Sequence, residues 1–243
     1  MKIIYPPRGR AREYSELAAN LYAGCDHGCT YCYAPAALKR SRDQFNKSAP
    51  RAGVIRQLAD DADEMRRNND TRNVLLCFTC DPYQEIDVRY KLTRQAIQIF
   101  NHNDVRFTVL TKGGLRSSRD LDLVAAGNGM YAATLTLTDE KMRQQYEPCA
   151  APTEDRIAVL KQAHRMGIPT WVSLEPVIDP AQTFELIRRT SDFVDLFKVG
   201  KLNYLEEAKL IDWCKFTADV VDVLGEVGSK FYLKDDIRRY ASV

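Results

Sequence analysis

Three cysteines fall within eight residues of the segment LYAGCDHGCTYCYAP, as Cys25, Cys29 and Cys32. Their spacing is CxxxCxxC, with Tyr31 just before the last thiol, and Gly24 and Gly28 give the loop the backbone freedom to turn three thiolates inward. Three thiolates can hold three irons of a cubane [4Fe–4S] cluster and leave the fourth iron open to an outside ligand. The rival chemistry is zinc, which takes four Cys or His ligands. His27 could be the fourth, or Cys29 and Cys32 could join Cys77 and Cys80 as two CxxC pairs. The paired version is disfavoured because NVLLCFTC (73–80) reads as a strand, in which residues three apart point to opposite faces and cannot grip one ion. The remaining cysteines, Cys149 and Cys214, read as buried hydrophobes rather than catalysts.

These groups need a scaffold, and the chain has the material for one. With 243 residues, 45% hydrophobic and 28% charged, it fits one large domain and is unlike a disordered or fibrous polypeptide. No charged start followed by an apolar stretch is visible, and no apolar run approaches a membrane span, so the expectation is a cytoplasmic protein without membrane contact. Seven cysteines without a secretion signal argue for metal rather than a disulfide framework. Charge is uneven: residues 1–56 hold ten Lys/Arg against four Asp/Glu, in a chain of net charge +2. Arg40, Arg42, Lys47, Arg51 and Arg56 follow the cysteines, which suits either an anionic partner such as nucleic acid or a solvated face.

The middle of the chain alternates short β-branched apolar runs with helical patterns. Strands are expected at 17–24, 73–80, 105–111, 130–137, 169–177 and 193–200. Helices are expected near 51–67, 88–102, 117–126, 153–166 and 181–191, with Ile157, Leu160 and His164 sharing one face of the fourth. This rhythm gives a parallel α/β sheet. Six strands are too few for a closed eight-stranded barrel, so the expected fold is a partial (β/α)6 TIM-like barrel over 1–200, with its chemistry at the carboxyl ends of the strands. A further helix at about 205–224 is expected, followed by the run KFYLKDDIRRY as a closing strand or cap over one end, a short helical and strand extension over 201–243 packed on the same domain.

The cysteine motif, with its aromatic before the last thiol, resembles the signature of the radical S-adenosylmethionine (SAM) superfamily. Within it the chain looks like the spore photoproduct lyase-like, or DNA repair photolyase-like, branch. GCDHGCTYCYAP, CDPYQEID (80–87), VLTKGGLRSSRDLDLV (109–124), the long run from Thr134 and LEPVIDP (174–180) stand in that branch's order. The resemblance implies a [4Fe–4S] cluster on Cys25, Cys29 and Cys32, with SAM chelated to the open iron. Reductive cleavage of SAM then gives a 5′-deoxyadenosyl radical that abstracts hydrogen from substrate. It also implies an electron donor such as flavodoxin or ferredoxin.

Other roles follow from the same resemblance. Lys112 pairs with the SAM carboxylate, Thr79 and Asp81 face the SAM amino group, and Tyr31 packs near the adenine. Thr134 and Thr136 share one strand face, so their hydroxyls reach SAM if that face lines the barrel. Cys80 is a departure, because the branch more often has Ser or Thr there; a thiol at that place could return a hydrogen atom to a product radical. Glu147 and Arg156 either pair to brace a loop or help bind SAM. The first functional reading is radical chemistry on a nucleic-acid base or nucleotide, in DNA repair or modification. The alternatives are a peptide or small metabolite as target, or a zinc-dependent nucleic-acid-binding module.

Overall fold

The computed structural model describes residues 2–241. Ten strands occur among them: β1 (Ile4–Tyr5), β2 (Leu17–Ala19), β3 (Tyr22–Ala23), β4 (Ala49–Pro50), β5 (Val74–Leu76), β6 (Phe107–Thr111), β7 (Gly129–Thr134), β8 (Thr170–Val177), β9 (Leu196–Lys201) and β10 (Phe231–Leu233). Eight of them form one sheet in the order β1-β2-β5-β6-β7-β8-β9-β10, and β3 and β4 make a small antiparallel pair. Every neighbouring pair from β2 to β10 is parallel, and β1 closes one edge antiparallel to β2. The six expected strands are thus present, with one more on each edge.

Helices cover the outer face because their apolar residues recur with the helical period. Val54–Arg67 buries Val54, Leu58, Ala62 and Met65, and Leu92–His102 buries Leu92, Ala96, Ile97 and Phe100. Several expected boundaries shift for local reasons. The run 17–24 breaks into β2 and β3 at Asn20, whose side chain donates to the Tyr5 hydroxyl on β1 and accepts from Phe78 N–H in the loop after β5. The helix expected over 88–102 is divided by Lys91, which sits at φ +50° between Glu85–Tyr90 and Leu92–His102. In Thr153–Arg165 the buried face carries Arg156, Val159, Leu160 and Ala163; Ile157 is half-buried and His164 exposed, so the expected stripe was displaced.

Beyond β9, the helix Trp213–Glu226 starts later than expected, packs on Pro180–Thr190, and leads into β10. Among the described residues no helix is long and apolar enough to cross a membrane.

Candidate functional site

The carboxyl ends of the parallel strands surround one open cavity of about 360 Å³, within the range of small-molecule sites. Cys25, Cys29 and Cys32 form part of its wall, with Tyr31, Thr79, Cys80, Asp81, Lys112 and Thr134. Nine of the ten residues expected at the site therefore meet on one surface. Thr136 does not line the cavity; it lies beyond the end of β7, is 1% exposed, and its hydroxyl has no hydrogen-bond partner among the described residues.

The cysteine loop is shaped by its neighbours. Gly24 has φ +99°, and a Cβ there would lie 2.3 Å from the Phe45 carbonyl oxygen, which accepts a hydrogen bond from Cys25 N–H. Asp26 accepts from the backbone N–H groups of Glu85 and Ile86, while Gln84 accepts from Asp26 N–H. The motif CDPYQEID thereby fastens the cysteine loop to the loop after β5. Arg42 donates to the carbonyls of Cys29, Thr30 and Cys32 from outside, a role that its place in a basic stretch did not disclose.

Asp81 is a hub. Its carboxylate accepts from Thr111 Oγ1 at 2.6 Å, Tyr83 N at 2.8 Å and Lys112 N at 2.7 Å, with His27 Nδ1 at 3.6 Å. Burial alone would raise its pKa, but His27 and these donors outweigh burial and hold it below the usual value. Lys112, set by that bond, places its ammonium 5.8 Å from the Tyr31 ring centre. Burial works against its charge, yet Cys29, Glu147 and Asp81 raise its pKa, and among the described residues no carboxylate lies within ion-pair range. Such a cation suits an incoming carboxylate.

Behind the wall, Tyr31 donates its hydroxyl proton to a hydrogen bond with Glu147, and Arg156 Nη2 reaches the other Glu147 oxygen at 2.6 Å. Both members of the ion pair are completely buried, and Arg156 also donates to the Thr134 and Ala151 carbonyls. Glu147 and Arg156 do not line the cavity, so they brace its wall. Burial pushes against Glu147 ionisation, but Arg156 and Lys112 prevail and bring its pKa to about 2.

The donor set fits a cluster better than one zinc ion. Among the described residues no three His, Cys, Asp or Glu side chains converge on a point, as a single ion requires, whereas a cubane takes one thiolate per iron. His27 is engaged at both nitrogens, by Asp81 and by Arg116 at 3.2 Å, and burial lowers its pKa to about 4, so it stays neutral.

Two expectations about the other cysteines are corrected. The strand β5 ends at Leu76, so Cys77 and Cys80 lie on a turn, and both face the cavity instead of opposite sides. That turn is held by Asn20, whose side-chain oxygen accepts from Phe78 and Thr79 N–H. Cys149 and Cys214 are exposed, because one sits in a loop and the other on the outer face at the start of Trp213–Glu226.

The far side of the cavity was not anticipated. Tyr14, Ser173, Glu175, Lys201, Asn203 and Lys234 line it. Lys234, with a side chain 4% exposed, donates to both Glu175 oxygens at 2.9 and 2.7 Å. Tyr14 donates to Glu175 and shares a 2.7 Å hydrogen bond with Ser173. Gly200 makes the room: a Cβ there would come within 2.6 Å of the Glu175 side chain. The signal available in sequence was LEPVIDP alone, since Tyr14 and Lys234 lie far away along the chain.

Comparison with known proteins adds the following. A family model described as the radical SAM superfamily matches residues 19–194. An uncharacterized protein of Methanocaldococcus jannaschii is 25% identical over 192 residues, covering 78% of this chain and 71% of that protein. A spore photoproduct lyase variant with bound AdoMet and dinucleoside spore photoproduct superposes with a TM-score of 0.71 at 14% identity, over 94% of this chain and 78% of that one. Streptococcus suis SuiB bound to S-adenosylmethionine gives 0.66 at 13% identity; the match takes in 89% of this chain but only 49% of SuiB. At these identities the likeness is one of fold, a partial TIM barrel.

Proposed function

We propose, from the premise that this chain belongs to the radical SAM superfamily, that it carries out hydrogen abstraction on a base of a nucleic acid or nucleotide. Membership brings a [4Fe–4S] cluster, SAM and a need for a reductant. Cys25, Cys29 and Cys32 would hold the cluster, one thiolate to each of three irons. When bound and reduced, the pair supplies one electron to the sulfonium and so a 5′-deoxyadenosyl radical.

The remaining work falls to side chains. Lys112 meets the SAM carboxylate, while Thr79 and Asp81, on the turn after β5, offer acceptors near the amino group. Tyr31 presents its ring beside Lys112, with its hydroxyl fixed by Glu147, as a surface for the adenine. Thr134 adds a hydroxyl at the end of β7, and Thr136, whose buried hydroxyl has no partner among the described residues, stands two residues beyond it. Cys80 returns a hydrogen atom to the product radical, its S–H bond breaking as a C–H bond forms.

The observation that carries this reading is the cavity's division into two ends. Across the cavity stands Glu175, a carboxylate held in place by Lys234 and Tyr14, which offers a fixed acceptor to an N–H donor such as a base edge. At the mouth, Arg8 with Tyr204, 75% exposed, combines a cation and an aromatic face, the pairing that suits single-stranded nucleic acid. The spore photoproduct lyase neighbour, described with a dinucleoside, supports the same class.

The test is anaerobic reconstitution with iron, sulfide, reductant and SAM in the presence of base-deuterated oligonucleotides. Deuterium in the 5′-deoxyadenosine supports the reading. Deuterium only from peptides or small metabolites overturns it.

A further inference from the structure

Two thiols outside the CxxxCxxC motif share the cavity with its three cysteines. Cys77 and Cys80 are both buried, both line the cavity, and both are free. They bound the sequence Cys-Phe-Thr-Cys on the turn after β5. Asn20 accepts hydrogen bonds at 2.9 Å from the two N–H groups between them, those of Phe78 and Thr79, so one side chain fixes the backbone that joins the two thiols. Burial pushes the Cys77 thiol well above its usual pKa, and the Cys80 thiol beside it pushes the same way; Cys77 therefore keeps its hydrogen at neutral pH.

The chemistry open to two adjacent thiols is narrow. A metal ion takes more than two ligands, and among the described residues no three His, Cys, Asp or Glu side chains converge to hold one. A cysteine that only packs has no need of an opening, yet both of these look into one. What remains is the two-electron chemistry of a pair, in which two S–H groups become one S–S bond, and the CxxC spacing is one at which a turn can close that bond.

We propose that Cys77 and Cys80 act as one dithiol, which supplies the hydrogen atom that ends a turnover and is left as a Cys77–Cys80 disulfide. This rests on the functional reading above, in which Cys80 faces the product radical, and it adds Cys77 to the reacting atoms. The Cys80 S–H bond breaks as the product C–H bond forms, which leaves a sulfur radical. The Cys77 S–H bond then breaks, its proton passes to water in the open cavity, and the S–S bond forms. One surplus electron returns to the oxidised cluster that family membership supplies. In sum, the two hydrogens of the pair leave as one hydrogen atom to product, one proton to water and one electron to the cluster. Each turnover then consumes one SAM and one dithiol, so a thiol–disulfide exchange reaction must reopen the pair before the next.

The test uses reconstituted holoprotein with SAM, reductant and base-deuterated oligonucleotide, first without added thiol. Free cysteines are alkylated after product forms, and peptides are mapped by mass spectrometry. The Cys77–Cys80 disulfide should rise in step with 5′-deoxyadenosine, product should stop at about one per chain, and dithiothreitol should restart it. Cys77→Ser should keep its iron, form no such disulfide, and turn over roughly tenfold or more slowly with dithiothreitol present. Both thiols alkylated in wild-type protein after product has formed would overturn the proposal, as would product that accumulates well past one per chain without a dithiol. If no oligonucleotide gives deuterated 5′-deoxyadenosine, the functional reading fails, and the pair is judged alone in holoprotein equilibrated with mixtures of reduced and oxidised dithiothreitol. Reversible closing of this one disulfide with iron retained supports a redox pair, and two free thiols across the whole range overturn it.

Discussion

The two ends of the cavity contrast in where their residues come from and in how their charges are held. At the cysteine end, the key groups come from the loops after β3, β5 and β6, and a cation, Lys112, stands without an ion-pair partner among the described residues. At the far end a carboxylate, Glu175, is held by Lys234 and Tyr14, groups that come from near both ends of the chain. The lesson is a division of labour: one end awaits an anionic partner from outside, and the other holds its carboxylate in place with groups of its own. Changes at the first should abolish SAM chemistry, whereas changes at the second should alter what that chemistry is done to.

The largest effect should come from Cys29→Ala, which is expected to lose iron on reconstitution and to give no 5′-deoxyadenosine; full iron retention would break the contrast at its strongest point. Next is Arg156→Met, which leaves Glu147 buried without its partner behind the cysteine end. Urea unfolding should show a loss of about 3–5 kcal/mol, and a change below about 1 kcal/mol would show that the brace is not structural.

At the far end, Lys198 donates to the Glu13 and Tyr14 carbonyls, and burial together with Lys234 lowers its pKa to about 8. A base whose folded pKa lies below its unfolded value has its full stability above the unfolded value, 10.5, and loses it as pH falls through the folded one. Relative to Lys198→Met, the wild type should therefore gain up to about 3 kcal/mol between pH 8 and 10.5, measured by denaturant midpoints. Parallel curves would show that Lys198 is solvated.

The smallest effect sharpens the division most. Glu175→Gln should lower the ratio of modified substrate to 5′-deoxyadenosine by roughly tenfold or more, because a charged acceptor is lost from the substrate end. A fall in both products together would merge the two ends into one.

Sequence reading reached the cysteine end because its residues lie in short motifs: the three thiols, Lys112 after its strand, and Asp81 within CDPYQEID are all local signals. The alternating pattern likewise disclosed the six central strands. What escaped it depends on distance along the chain. Tyr14, Glu175 and Lys234 meet only because β8, β9 and β10 are neighbours, and the edge strand β1, of two residues, is too short to show a period, whereas β10 falls within the run KFYLKDDIRRY, where a closing strand or cap was expected. The same limit explains Cys77 and Cys80: the apolar run continued past Leu76, whereas Asn20 bonds to the next backbone N–H groups and ends the strand there. The burial of Glu147 with Arg156 was equally invisible, since sequence gave the pair but not its depth.

The central claim is that the three thiols hold a cluster with one corner open to SAM. Its most direct test is iron and sulfide analysis of anaerobically reconstituted protein, with electron paramagnetic resonance of the reduced sample before and after SAM. The expected result is about four irons per chain and a spectrum that changes when SAM is added. Zinc in place of iron, or a cluster spectrum identical with and without SAM, would contradict it.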